Sequence, residues 1–337
     1  MGSTFKRMNL GYVSTPEQDE ARIALATKLL NDSIVKAKLK ETIELSPGYS
    51  VPRLTSEEVI KNPYKVQRWL DSLQPCIGCK GLEFCKQEDK GHVMNLRCDV
   101  FLQLTKAPCK FMMKKLKEEE HLQYYVYTDL PKTLTNVTFR SINLDEELEK
   151  GNTLYVSTYN ELQEMCSNEE SAYIYGPFGT GKTYLAACAC NYFARKKEKV
   201  AFVHWPSFVT KMPAYISSGE CDQIVERLKY VHFLVIDEIG GEAVTQWNRD
   251  QLLLPVLNAR YEANLPTWFT SNCDYKGLEE HFKVSGKFIE DSMKSQRIME
   301  RIRVMTKSKT LTGKDRRESR RCRYHRDPIW ENGEHQR

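Results

Sequence analysis

The sequence predicts an α/β chain: a nucleotide-binding domain built on a parallel sheet, preceded by a small, mostly helical, metal-binding domain. Three observations carry this. From Ser171 onward, short apolar runs ("AYIY", "KVAFVHW", "HFLVI", "TWFTS") alternate with longer amphipathic segments such as "TYLAACACNYFARK" and "WNRDQLLLPVLNARYEA". Strands alternating with helices imply a parallel sheet covered on both faces, with ligands at the carboxyl ends of its strands. The first run leads directly into "GPFGTGKT", Gly176 to Thr183, which matches the phosphate-loop pattern G-x-x-x-x-G-K-[ST] in full. Upstream lies "PCIGCKGLEFCKQEDKGHVMNLRC", Pro75 to Cys98, with four cysteines and one histidine.

In the N-terminal third, Ile23, Leu25, Leu29, Leu30, Ile34 and Leu39 recur at near-helical spacing from Pro16 to about Glu41, with Thr15 placed to cap. A second helix is announced by "TSEEVI", where Thr55 and Glu58 fit a capping box, and Val59, Ile60, Val66, Trp69, Leu70 and Leu73 supply its apolar side. Beyond Cys109, "KFMMKKLKEEEHLQYY" is charged and amphipathic, and "TDLPKTLTNVTF" has the Pro, Thr and Asn that suit a connection. The expected organisation is a helical zinc-binding domain over 1–115, a linker over 116–134, the ATPase domain over 135–317 and a basic tail over 318–337. No internal repeat is visible, which excludes a solenoid.

The 337 residues suffice for about two cored domains. No apolar run reaches the roughly 18 residues a membrane helix needs, and "MGSTFKRMNLGYVSTPEQDE" lacks the order of a secretion signal. Lys6 also spoils a myristoylation motif. The expectation is a cytoplasmic protein with no membrane partner. In that compartment its eleven cysteines are metal ligands or core residues rather than a disulfide framework. Lys307 to Arg326 holds nine Lys/Arg against Asp315 and Glu318, an excess larger than the whole chain's +5, so the remainder is slightly acidic.

In "GPFGTGKT" the glycines Gly176, Gly179 and Gly181 let the backbone curl, with Pro177, Phe178 and Thr180 between them, so that amide hydrogens point at phosphate oxygens of ATP. Lys182 is placed for the β- and γ-phosphates, Thr183 for Mg2+, and Tyr184 follows at the start of the helix. The run Phe233 to Ile236 ends in Asp237 and Glu238, suited to the magnesium shell and to activating water. "TWFTSNCD" offers Asn272 to the γ-phosphate or the lytic water, against its plain reading as a turn residue. "SQRIMERIRVM" carries Arg297, Arg301 and Arg303, where an arginine reaching a neighbouring subunit would supply transition-state charge; helical arginines are otherwise solvated surface.

Phosphate loop, Asp-Glu strand, Asn strand and arginine helix, in that order, resemble the AAA+ ATPases. "YIYGPFGTGKTYLAACACNYFARK", "LVIDEIGGE", "WNRDQLLLPVLNARYEANLPTWFTSN" and "RIMERI" look most like the DnaI/DnaC-type bacterial helicase loaders, over roughly residues 130 to 317. The resemblance implies an ATP-controlled assembly, a ring or spiral, that delivers a hexameric replicative helicase onto single-stranded DNA in primosome formation. It implies nucleotide binding by Lys182 and Thr183, metal binding and hydrolysis by Asp237 and Glu238, a sensor at Asn272 and a finger at Arg297 or Arg301. Few residues follow the arginine helix, so a helical lid is reduced or missing and the second sensor is open.

For the cysteines, a tight CxxC is the usual start of a tetrahedral zinc site, and Cys76 and Cys79 have that spacing. Cys85, His92, Cys98 and Cys109 offer the rest. By spacing alone Cys76, Cys79, Cys85 and Cys98 make an all-cysteine Zn2+ site, or an iron-sulfur site. The loader resemblance implies instead Cys76, Cys79, His92 and Cys109 in a helicase-docking module, with Cys85 and Cys98 as bystanders. The basic tail, including Tyr324, suits single-stranded DNA or merely solubility. "PSFVTKMPAYISSGECDQ" could bring Lys211 toward a channel. Two rivals share the motifs: a transposition-helper ATPase, which would not be expected to carry the CxxC-led module, and a nucleotide-binding scaffold with little hydrolysis.

Overall fold

The computed structural model describes residues 15–46, 49–52, 54–98, 101–283, 288–313 and 315–316. The chain forms two compact units, one up to Lys117 and one from Glu118 onward. The basic tail, Tyr324 included, lies outside the described residues.

The first unit contains α1 (Pro16–Asn31), α2 (Ser33–Leu39), β1 (Thr42–Ser46), β2 (Tyr49–Pro52), α3 (Ser56–Lys61), α4 (Pro63–Leu73), β3 (His92–Cys98), β4 (Leu102–Pro108) and α5 (Lys110–Glu119). Thr15 caps α1 with Gln18 in a reciprocal box, and Thr55 with Glu58 does the same for α3. The single helix expected from Pro16 to Glu41 is broken at Asp32, whose carboxylate accepts from the N–H groups of Ile34 and Val35 and so caps a new helix. α4 starts at Pro63 with no side-chain cap from Asn62; a proline's missing N–H costs nothing in a first turn. Leu29, Val35, Leu54, Val59, Val66, Trp69, Leu70, Leu96 and Leu102 make the core.

This unit is less helical than expected. β1 pairs with β2, and β3 with β4, as antiparallel hairpins. The second hairpin runs from His92 opposite Pro108 to Cys98 opposite Leu102.

The second unit holds β5 (Tyr125–Thr128), α6 (Leu144–Glu149), α7 (Thr153–Ser167), β6 (Ala172–Tyr175), α8 (Lys182–Arg195), β7 (Val200–His204), α9 (Trp205–Ser218), α10 (Cys221–Tyr230), β8 (Phe233–Asp237), α11 (Leu254–Glu262), β9 (Thr267–Ser271), α12 (Tyr275–His281), α13 (Phe288–Met305) and β10 (Lys307–Thr310). Six strands form one parallel sheet in the order β10-β6-β9-β8-β7-β5. Side chains alternate across it. Ala172, Ile174, Val200, Phe202, Phe233, Val235 and Trp268 join one apolar layer, while Tyr173, Ala201, Val203, Leu234, Ile236 and Phe269 join the other. A sheet buried on both faces demands such continuously apolar strands.

The four expected strands stand where the apolar runs are. β5 and β10 were not expected. β5 takes up part of the supposed 116–134 linker and pairs with β7 at the sheet edge. Its sequence "YYVYT" is aromatic and β-branched, which suits a strand, but a charged helix before it and a proline after it hid the pattern.

Candidate functional site

The sheet order places three strand ends side by side: β6 with the phosphate loop, then β9, then β8. Asn272, immediately after β9, therefore stands between the loop and the Asp237–Glu238 pair. The loop closes tightly. Gly176 has φ +149°, and a Cβ there would collide with the Leu311 carbonyl oxygen, so only glycine fits between the loop and the chain leaving β10. Thr180 is fully buried and its hydroxyl donates to the Pro177 carbonyl (3.0 Å). Phe178 is exposed at the tip, and Tyr184 packs against the inner apolar layer.

Lys182, at the first position of α8, is buried and folded back on its own loop, donating to the carbonyls of Gly176 and Pro177, both at 2.8 Å. Those two acceptors hold the ammonium where phosphate oxygens would otherwise receive it. Thr183 donates its hydroxyl to Asp237 Oδ1 at 3.0 Å. The pair are hard oxygen donors of the kind Mg2+ takes through a hydroxyl and one carboxylate.

Asp237 is 2% exposed, and burial pushes its carboxyl up from the ordinary value. Thr270 opposes this, its hydroxyl donating to Asp237 Oδ1 at 2.6 Å while accepting the Glu238 N–H at 2.9 Å. Glu238 has φ +57°, a left-handed backbone that an ordinary residue adopts only under constraint. Its carboxylate meets His204 Nε2 at 3.2 Å. His204 ends β7, directly opposite Asp237, and its Nδ1 lies 2.7 Å from the Ser207 hydroxyl. The hydrogen bond to Glu238 raises the His204 pKa above the usual imidazole value. Sequence reasoning missed Thr270 and His204; the signal was a polar side chain inside or at the end of an otherwise apolar strand.

A second missed group comes from the chain after β10. The Arg316 N–H donates to the Gly179 carbonyl at 3.0 Å, and its guanidinium grips Glu147 through two bonds of 2.7 and 2.9 Å. It also lies 3.7 Å from the Tyr155 ring centroid. A Cβ on Gly179 would strike the Asp315 carboxylate. Asp315 and Arg316 thus strap the phosphate loop from its own chain.

The arginine helix is α13. Arg301 is held within the chain by Asn258 (Nε to Oδ1, 3.1 Å) and by the Tyr261 ring at 4.7 Å. Arg303 pairs with Glu279 at 2.7 Å, whereas Arg297 is exposed.

In the first unit, Cys76, Cys79, Cys85, His92 and Cys109 line one cavity of about 470 Å³. The hairpin brings them together: Cys109 follows β4, and its N–H donates to the Gly91 carbonyl beside His92 at 2.8 Å. Cys85 Sγ accepts the Gly91 N–H at 3.3 Å, and this bond, the largest influence on it, lowers the thiol pKa. Cys98 lies elsewhere, its Sγ against the Glu58 carboxylate. The donor chemistry suits zinc, but the side chains as oriented do not converge. Among the described residues no three His, Cys, Asp or Glu side chains are grouped to share an ion.

The replicative helicase loader DnaI of Bacillus subtilis (strain 168) is 25% identical over 311 residues, covering 91% of this chain and 96% of that protein. The replicative helicase loader DnaC of Escherichia coli (strain K12) is 27% identical over 135 residues, 40% of this chain and 54% of that one, so this match spans about half of DnaC. A crystal structure of DnaI, 26% identical, aligns with a TM-score of 0.49 over 56% of this chain and 98% of that one. Residues 132–321 match the family described as IstB-like ATP binding protein. That match takes in the loop, the Asp-Glu strand, Asn272, the arginine helix and the strap, and it covers more than half of the sequence: the chain belongs to the IstB-like ATP-binding family.

Proposed function

We propose that this protein is an ATP-dependent loader that binds a hexameric replicative helicase and delivers it onto single-stranded DNA during primosome assembly. The observation that carries this is the extent of the likeness to the B. subtilis loader, which runs through both units, whereas the family match begins only at residue 132. A transposition helper sharing the ATPase domain alone leaves the first unit unexplained.

In this reading Lys182 releases its two loop carbonyls to take the β- and γ-phosphates. Thr183 and Asp237 hold Mg2+, which when bound offsets phosphate charge. Glu238, freed from His204, orients the attacking water and accepts its proton as the new P–O bond forms and the bond to ADP breaks. Asn272 contacts the γ-phosphate from between the two strands. In a ring or spiral, Arg297 is already exposed for a neighbour's nucleotide, while Arg301 must first leave Asn258. The first unit docks the helicase. Its fold is reinforced by zinc on Cys76, Cys79, His92 and Cys109, with Cys85 facing the same cavity.

The test is reconstituted loading on single-stranded DNA, using the full-length chain, ATP and the helicase. Lys182→Ala is expected to abolish ATP binding and loading while retaining helicase capture. Unchanged ATP affinity would remove the nucleotide-site assignment, and failure of the wild type to bind the helicase would remove the loader reading.

A further inference from the structure

The chain leaving β10 runs along the outside of the phosphate loop and approaches each of its three glycines. A Cβ on Gly176 would meet the Leu311 carbonyl, one on Gly179 the Asp315 carboxylate, and one on Gly181 would have Arg316 Cδ at 3.5 Å and the Tyr155 hydroxyl at 4.0 Å. Two main-chain bonds fasten this run. The Leu311 N–H donates to the Tyr175 carbonyl at 2.7 Å, and the Arg316 N–H to the Gly179 carbonyl at 3.0 Å. The arginine's side chain is engaged elsewhere: its guanidinium forks onto Glu147 of α6 and lies over the Tyr155 ring of α7, while Asn152 donates to the same carboxylate at 2.8 Å. Burial pushes the Glu147 carboxyl up, but the bonds from Arg316 and Asn152 outweigh it and keep it below the ordinary value. The fork therefore joins two charged groups at neutral pH.

We propose that Arg316 is a positioning residue for the nucleotide: anchored on Glu147, its main-chain N–H fixes the Gly179–Thr180 peptide in the phosphate-binding orientation and so slows nucleotide release. The physical basis is the planarity of that peptide. In a trans peptide the C=O and the following N–H point in opposite directions. A Gly179 carbonyl held outward on the strap thus turns the Thr180 N–H away from it, to the side where a phosphate is cradled. Gly179 has φ +77°, and glycine moves between such conformations at little steric cost. Without an outside donor the peptide is free to flip, and the cradle loses one amide. The bidentate fork to a nearly buried carboxylate gives that donor a fixed point.

This rests on the reading above, that the loop binds the nucleotide through Lys182. The test is stopped-flow release of a fluorescent ADP from the full chain with Mg2+, chased by excess unlabelled ADP. Wild type is compared with Arg316→Met, Arg316→Lys, Glu147→Gln and the Arg316→Met/Glu147→Gln double variant, and thermal melting checks that each folds. Arg316→Met is expected to speed release by about fivefold or more, the loss of one charge-assisted bond. Arg316→Lys, a point charge without the fork, recovers less than about half of that loss. Glu147→Gln leaves the arginine in place and should still speed release to within about twofold of Arg316→Met, and the double variant adds nothing, because both act through one latch. Unchanged or slower release in Glu147→Gln would mean that the guanidinium serves the nucleotide directly or not at all, and would overturn the proposal alone. Multiplicative effects in the double variant, or a folded Arg316→Met that releases like wild type, would do the same. A wild type that captures no labelled ADP, or capture that survives Lys182→Ala unchanged, would overturn the nucleotide-site reading and the proposal together.

Discussion

Thr270 serves two neighbours at once: its hydroxyl donates to Asp237 at 2.6 Å and accepts the Glu238 N–H at 2.9 Å. One side chain on β9 thereby sets both acidic residues at the end of β8. Thr270→Val keeps the shape and removes both bonds. Loss of a buried bond to a charged group costs on the order of 1.5–3 kcal/mol of stability; to the extent that it misplaces the two acids in the transition state, turnover should fall roughly tenfold or more. The demand for Mg2+ should rise because Asp237 is harder to ionise. ATPase titrated with Mg2+ measures this; an unchanged midpoint would count against the role.

Burial raises the Asp237 pKa in the folded chain. For a carboxyl with a raised folded pKa, the ionised form is penalised, so stability declines as pH rises from the unfolded value through the folded one and then levels off. In metal-free protein near neutrality, Asp237→Asn should therefore raise the melting temperature while abolishing hydrolysis. Melting curves in chelator give the answer, and a lower temperature for the variant would contradict it.

His204 shows the opposite linkage. Its pKa is raised by the bond to Glu238, so the stabilisation is complete below about 6.5 and is lost as pH rises through the higher folded value. Hydrolysis should then increase with pH across that window as Glu238 is let go. In His204→Asn that rise should disappear. A pH–rate profile that keeps its shape in the variant would exclude this grip on Glu238.

The cavity in the first unit separates two cysteines. With zinc held as proposed, Cys109→Ser should release the metal and unfold the unit, whereas Cys98→Ser, whose thiol meets Glu58, should cost about 1 kcal/mol or less. Metal content and circular dichroism distinguish the two; the reverse ranking would restore an all-cysteine site.

Arg260 is fully buried and donates five bonds, to the Thr267 hydroxyl and the carbonyls of Leu228, Val231, His232 and Pro266. Arg260→Met would strand those acceptors near the base of β8 and β9. Denaturant unfolding should register a loss of about 3 kcal/mol or more; a change below about 1 kcal/mol would mean the carbonyls find other donors.

Much of this was legible beforehand because it is written in local pattern. The four apolar runs, the glycine spacing, the Thr55–Glu58 box and the adjacent acids each carry a short-range physical rule. Asp32 escaped notice because a cap in mid-pattern looks like one more polar helix residue. β10 and β5 have little apolar alternation to display; "KSKT" is a strand because β6 offers it an open edge. Thr270, His204, Asp129 and Arg316 act through partners 33, 34, 75 and 169 residues away, and no spacing rule reaches that far. Gathering Cys109 with Cys76 likewise depended on a hairpin folding back.

The edge strand β5 also has a mechanical consequence. The chain leaving the first unit enters the ATPase sheet within a few residues, lying parallel to β7. Tension directed along β5 is thus resisted by its ladder bonds to β7 loaded in shear rather than peeled one at a time. It reaches Asp129 before it is dissipated in any slack connection. A displacement of β5 is, to that extent, a displacement of the Asp129 carboxylate that receives the His204 main-chain N–H.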